Sequence, residues 1–122
     1  MMDLKELYPI LPLLAEADPG WCIFGSAARW MESEDAPLPH DIDIMMSEEG
    51  AKRAEVLLAP FRLFTPQPES GKWLSRRSHY QIGSIEIDLS GGLQRLRNGA
   101  WHPVFPREIK EKGQLRYCPC LE

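Results

Sequence analysis

The chain has 122 residues, of which 43% are hydrophobic and 26% charged, and its formal net charge is −4. This size predicts a single domain over residues 1–122, with a modest core and no room for a second catalytic domain. The negative charge argues against a general affinity for nucleic-acid backbone and weakly favours a small molecule or small protein as partner. No apolar run approaches the roughly 20 residues of a membrane span. The N-terminal stretch is acidic and interrupted by prolines, so we expect no signal peptide.

The three cysteines are Cys22, Cys118 and Cys120. An odd number without a spaced framework favours a reduced, cytoplasmic protein. The Cys118-Pro119-Cys120 segment lacks the second cysteine pair or the histidine cluster that a metal or redox site needs. We therefore interpret these cysteines as small apolar residues.

The first helical pattern covers residues 3–16, where apolar residues recur at spacings of three and four. Pro9 and Pro12 fall inside this pattern, and each would kink or break a helix. We therefore expect two short helical pieces, followed by a turn at Asp18-Pro19-Gly20.

The next segment combines a strand, a tight turn and a helix within twelve residues. The apolar run Trp21–Phe24 predicts a short buried strand. Gly25 and Ser26 follow it directly, and residues Ala27–Glu32 continue as a helical segment. A backbone that turns at glycine and opens a helix can approach an anion closely.

After a polar loop over residues 35–40, the chain alternates Asp41-Ile42-Asp43-Ile44. The period of two predicts a strand with both isoleucines on one face and both aspartates on the other. Two carboxylates on one face repel each other unless water or a cation lies between them. The apolar flanks argue against a fully solvated strand, so we favour a cation.

The middle of the chain predicts a helix followed by strands. Ser47 has the properties of an N-cap for a helix running to about Ala59. The run Phe61–Thr65 predicts a strand, and residues 66–72 form a polar loop. Residues 78–82 and 84–89, joined at Gly83, predict a β-hairpin that ends at Ser90-Gly91-Gly92.

The second strand of this hairpin repeats the pattern of the first aspartate strand. Ile85, Ile87 and Leu89 alternate with Glu86 and Asp88. One face is therefore apolar and the other acidic. The remaining sequence predicts a basic, turn-rich segment over residues 93–99 and a hairpin over 108–117. Together these elements predict an α/β (α+β) fold, a mixed β-sheet with helices packed on it.

Gly25, Ser26 and Arg29, followed by the run Asp41–Ile44, resemble the signature of the DNA-polymerase-β-like nucleotidyltransferases. The resemblance is to small bacterial members of the minimal and antibiotic-modifying types. It implies a nucleotidyltransferase-like mixed sheet with helices, a Mg²⁺ or Mn²⁺ cofactor, and a nucleoside triphosphate as substrate. The separation of Ser26 from Asp41 is long for this pattern, and Trp30 stands where a glycine is common.

The resemblance also implies a role for each residue of the motif. Asp41 and Asp43 would bridge two metal ions, which need hard oxygen ligands. A third carboxylate comes from a neighbouring strand, and Asp88 is our choice for it, with Glu86 as the reserve. Gly25, Ser26 and Arg29 would bind the triphosphate through backbone N–H groups, a hydroxyl and a guanidinium.

Two classes of function follow from this pattern. The first is transfer of a nucleoside monophosphate to a hydroxyl of a small molecule, a protein or an RNA end. The second is a non-catalytic module of the same fold that binds a nucleotide or regulates a partner protein. A purely structural domain would leave the acidic strand faces unexplained.

Two interpretations are possible for several residues near the expected site. The basic residues Lys72, Arg76 and Arg77 form either a solvated loop or a contact to substrate. Trp73 and Trp101 are expected in the core, with stacking on a base as the alternative.

Overall fold

The structure is a computed structural model that describes residues 3–33, 35–64 and 70–121. Within these residues the α-helices are α1 (Leu11–Ala17), α2 (Gly25–Glu32) and α3 (Glu48–Leu57), with 3₁₀ segments at Leu4–Ile10 and Ala59–Phe61. The strands are β1 (Cys22–Phe24), β2 (Ile42–Met46), β3 (Arg62–Leu63), β4 (Trp73–Ile82), β5 (Ile85–Arg97), β6 (Ala100–Pro103), β7 (Lys110–Lys112) and β8 (Leu115–Tyr117). No helix of the described ranges has the length and apolar character needed to cross a membrane.

All eight strands belong to one mixed sheet. Its order is β3-β4-β5-β2-β1-β8-β7, and β6 pairs with the far end of β5. Strand β2 lies parallel to β5 and antiparallel to β1. These pairings place the aspartate strand at the centre of the sheet, directly beside the strand that carries the second acidic pattern.

One face of the sheet packs against the three helices and forms the main core. Ile42 and Ile44 of β2 and Ile87 of β5 lie on this face and are fully buried. The apolar alternation predicted from the sequence supplies these residues, and it leaves the aspartates on the opposite face. The helices contribute Leu11, Leu14, Ala27, Ala28, Met31, Ala51 and Ala54.

The opposite face carries a second, smaller apolar cluster. Met45 follows Asp43 by two residues on β2, so both side chains lie on this face. Met45 packs with Leu93 of β5 in this cluster, which includes Cys22, Val104 and Cys118. The helices do not cover this face at the aspartates, which leaves the carboxylates half-exposed.

The predicted fold class, a mixed sheet with helices packed on it, is confirmed. The proline-containing N-terminal helix does form two pieces, and the Ser47 hydroxyl caps α3 by accepting from the Gly50 N–H at 3.0 Å. The hairpin turns at Gly83, which has φ +59. The last hairpin also forms, as strands β7 and β8.

Other boundaries differ from the sequence expectation. Strand β5 does not end at residues 90–92 but continues to Arg97, so the expected turn-rich segment is mostly strand. Gly92 (φ +62) lies at an irregularity in the β4–β5 pairing, where the chain bends without leaving the sheet. Helix α3 ends at Leu57, and β3 covers only two residues. Thr65 and most of the expected loop lie outside the described residues.

Candidate metal and nucleotide site

The parallel pairing of β2 with β5 brings three carboxylates together. Asp43 lies directly opposite Asp88 in this register. Asp41 precedes Asp43 by two residues and shares its face of the sheet. Each of the three offers one carboxylate oxygen, and these atoms lie within 4.8 Å of one another.

The cluster is electrostatically strained. Burial raises the pKa of Asp43 to about 7, and the charges of Asp41 and Asp88 add to the increase. Burial and the charge of Asp88 also raise the pKa of Asp41. A positive charge beside these groups would relieve the repulsion.

Arg77 of β4 supplies part of that charge. Its Nη2 donates to Asp88 Oδ2 at 3.1 Å and lies 3.3 Å from Oδ1. Its neighbour Arg76 has a different environment: its Nε donates to Glu55 Oε2 of α3 at 2.5 Å. The expected basic cluster is therefore split between the two faces of β4, and Arg77 is the member that contacts a carboxylate of the trio.

Helix α2 begins beside Asp43. Gly25 has φ +69, a conformation that residues with a side chain rarely adopt. A Cβ atom at this position would stand 2.7 Å from Asp43 Oδ2. The backbone at the start of α2 is therefore in close contact with the carboxylate, with Ser26 half-buried as the next residue.

Arg29 lies one turn further along α2 and is exposed. Its charge is close enough to oppose the increase in the pKa of Asp43. Of the residues predicted to bind phosphate, Gly25 therefore lies against Asp43, and Arg29 is near enough to act on its charge.

The donor set fits a hard divalent cation. Three carboxylates provide oxygen ligands only, which Mg²⁺ and Mn²⁺ accept. Their spacing is short enough for a shared cation. Such an ion would balance the repulsion among these carboxylates, which adds to the effect of burial in raising the pKa of Asp43. Asp41, Asp43 and Asp88 are therefore the residues that would hold such an ion.

Glu86 is less suited to this position than Asp88. It lies two residues earlier on β5, is exposed, and is not part of the close trio. Its Oε2 lies 3.6 Å from Nε2 of His79, the residue opposite Asp88 on β4. Among the described residues, both ring nitrogens of His79 are buried without a hydrogen-bond partner.

The sequence placed Arg77 near the expected site but did not predict its contact with Asp88, and it gave His79 no role there. Both are on β4, and only the β4–β5 register places them beside Asp88. For His79 the available signal was the predicted hairpin of residues 78–82 and 84–89, whose register brings His79 opposite Asp88. Arg77 lies before that predicted strand, so the sequence gave no register for it.

No protein-family model matches the chain, and no curated protein matches it either. A solved structure from Thermotoga maritima is similar: TM1012, provisionally described as a nucleotidyltransferase. It superposes with a TM-score of 0.69 and 20% sequence identity, over 97% of this chain and 80% of that one. The chain has the mixed α+β architecture of a nucleotidyltransferase-like fold.

Proposed function

We propose that this protein is a Mg²⁺-dependent nucleotidyltransferase of the DNA-polymerase-β-like type. It would move a nucleoside monophosphate from a nucleoside triphosphate to a hydroxyl group of an acceptor. One observation carries the proposal: the close trio Asp41, Asp43 and Asp88 beside the glycine that begins α2. The similarity in fold to TM1012 supports the same class of activity.

Two Mg²⁺ ions, when bound, would neutralise phosphate charge and lower the pKa of the attacking hydroxyl. The roles of the protein's own residues follow from their positions. Asp43 projects from β2, Asp41 directly precedes that strand, and Asp88 projects from the neighbouring β5, so the three can contribute ligands from two sides. Arg77 holds the Asp88 carboxylate through both of its oxygens and so limits its rotation.

The start of α2 would bind the triphosphate. The first N–H groups of a helix have no partner within the helix and favour an anion. Gly25 allows the phosphates to approach because it has no side chain, and the Ser26 hydroxyl can donate to a phosphate oxygen. Arg29 would add a charge-assisted contact from the following turn.

The proposal treats residues 1–122 as one nucleotidyltransferase-like domain. Its support is that every strand of the described residues belongs to one sheet. A cytoplasmic location is also part of the proposal, and it agrees with three free cysteines. The proposed acceptor is a hydroxyl group of a small molecule, a protein or an RNA end.

The test is incubation of the purified protein with labelled nucleoside triphosphates and Mg²⁺. We expect pyrophosphate release, with label on an added acceptor or on the protein itself, and no release by Asp43→Asn. If nucleotide binds in the presence of metal but no pyrophosphate appears with any acceptor class, the non-catalytic binding module is the better description.

A further inference from the structure

The charges of this chain are strongly segregated. Residues 70–107 contain six Lys and Arg against two Asp and Glu, although the whole chain has a net charge of −4. The rest of the sequence contains eight basic residues against sixteen acidic ones. The overall negative charge therefore conceals a basic region, and its contacts must be judged locally.

Part of this region is a three-stranded extension of the sheet, which we call the β-arm: residues 73–74 of β4, 92–97 of β5 and 100–103 of β6. Of the six basic residues, Arg95 and Arg97 belong to the β-arm. It continues beyond the end of β2, whose pairing with β5 stops at Met46 and Gly91. Within the β-arm, β5 is the central strand and pairs with β4 on one side and with β6 on the other.

One face of the β-arm continues the face that carries the carboxylates. Trp73 and Arg77 are four residues apart on β4, so their side chains share one face of the strand. Arg77 contacts Asp88, so this is the face that carries the carboxylates. Leu93 packs with Met45 on the same face, and Arg95 and Arg97 follow Leu93 by alternation. The residues of β4 and those of β5 thus identify the same face of the β-arm independently.

An aromatic ring and guanidinium groups lie together on this face. The Arg95 guanidinium lies 5.5 Å from the centre of the Trp73 ring, and the two residues are paired across β4 and β5. Arg97 is exposed two residues further on, and His102 pairs with Arg95 from β6. Trp73 itself is 39% exposed, so its ring is only partly covered.

We infer that this face of the β-arm binds single-stranded nucleic acid and presents its terminal hydroxyl to the carboxylate trio. Exposed aromatic rings stack on bases without regard to sequence, and arginines pair with the phosphates between them. An acidic peptide would use the arginines but would leave Trp73 without a planar partner. The inference rests on the proposed function for the transfer step, whereas the binding itself does not need catalysis.

The distance between Trp73 and the carboxylate trio suits a short single strand of nucleic acid. Trp73 lies six residues along β4 from His79, the residue opposite Asp88, which corresponds to about 20 Å. A strand of a few nucleotides would extend from the arm to the trio. Its terminal hydroxyl oxygen would form the new bond to the α-phosphorus, pyrophosphate would leave, and the hydroxyl proton would pass to water.

The experiment is fluorescence anisotropy with a labelled single-stranded oligonucleotide, without metal or nucleotide, over a range of salt concentrations. Parallel titrations with RNA and with DNA oligonucleotides show which of the two is bound more tightly, since only RNA has the 2′-hydroxyl. We expect Trp73→Ala to weaken binding by about tenfold, in line with the loss of a stacked base. Trp101→Ala is the matched control, because Trp101 is also 39% exposed but pairs with Leu96 on the opposite face.

A second pair of variants tests the charges. Arg95→Glu with Arg97→Glu should weaken binding by more than about tenfold and reduce its salt dependence. Lys5→Glu with Lys52→Glu makes the same change in net charge at exposed positions outside the β-arm, and it should change binding by less than about twofold.

Three results would overturn the inference. They are no binding at low salt, equal losses in the test and control variants, or competition by polyglutamate as effective as that by unlabelled oligonucleotide. Metal-dependent nucleotide binding, measured separately by thermal shift, shows whether the proposed function has failed as well. Loss of oligonucleotide binding with that shift intact would overturn the nucleic-acid acceptor alone.

Discussion

Gly25 and Asp43 are in such close contact that the structure leaves no space for a side chain between them. A Cβ on Gly25 would stand 2.7 Å from Asp43 Oδ2. The same glycine has φ +69, so its lack of a side chain is needed for conformation as well as for space. The start of α2 and the carboxylate trio are therefore one structural unit.

Gly25→Ala should damage both stability and nucleotide binding. The positive φ alone should cost about 1–3 kcal/mol of unfolding free energy, and the contact with Asp43 would displace that carboxylate. Gly99→Ala is a matched control, because Gly99 has φ +78 but a Cβ there would meet no atom within 4 Å. Denaturant unfolding should show a loss in both variants. Metal-dependent nucleotide binding should be lost only in Gly25→Ala, and equal binding by both variants would contradict this explanation.

The raised pKa of Asp43 predicts an unusual pH dependence of stability in the absence of metal. The ordinary pKa is 3.8 and the folded-state value is about 7, so the folded protein holds this proton more tightly than the unfolded chain. Ionisation of Asp43 therefore lowers the free energy of unfolding. This effect is absent below about pH 4, grows as the pH rises, and is complete above about pH 7. Asp43→Asn removes the charge.

The direction of this pH dependence can be checked by thermal denaturation over the same pH range, with a chelator present to remove metal ions. We expect Asp43→Asn to have a higher Tm than the wild type at about pH 8, with the difference shrinking as the pH falls. A variant less stable than the wild type at about pH 8 would show that the Asp43 carboxylate makes a favourable contact instead.

Asp88 and Glu86 offer a direct comparison of two acidic residues on the same face of β5. Asp88→Asn should reduce pyrophosphate release by more than about a hundredfold, beyond the effect typical of groups that only support a metal ligand. Glu86→Gln should retain activity within about threefold, because Glu86 lies outside the close trio. Steady-state rates at saturating Mg²⁺ test both, and a reversed order would assign the third ligand to Glu86.

Much of the fold could be predicted from the sequence because local patterns determine it. The alternation in residues 41–44 and 85–89 identifies two strands and their acidic faces, and Ser47 identifies the start of α3. The expected set of three carboxylates also follows from these faces. The distances among the three carboxylates could not be predicted, because the parallel register of β2 with β5 depends on pairing between distant segments.

The errors have the same origin. The sequence Ser90-Gly91-Gly92 predicts a strand end, yet β5 continues through these residues to Arg97, and α3 packs closely against it there. A Cβ on Gly91 would stand 2.3 Å from Ala51 Cβ, so this glycine permits close packing and does not mark a turn. Likewise, the faces of Arg76 and Arg77 became known only once β4 was paired with β5.

Gly91→Ala tests this packing explanation. The added methyl group must push α3 away from β5, and we expect a loss of about 1–3 kcal/mol of unfolding free energy. Gly71→Ala, at an exposed position where a Cβ would meet no atom within 4 Å, should be nearly neutral. Chemical denaturation of the two variants measures the difference, and equal stabilities would show that the helix can move without cost.

The proposed function requires the carboxylate trio to bind a divalent cation together with a nucleoside triphosphate. The most direct measurement is the thermal shift of the wild type and Asp43→Asn with Mg²⁺, with a non-hydrolysable triphosphate, and with both. Ligands that bind only the folded state raise the Tm by mass action. We predict a large shift for the wild type with both ligands and no metal-dependent part of it in Asp43→Asn. The same shift in both proteins, or none in the wild type, would contradict the claim.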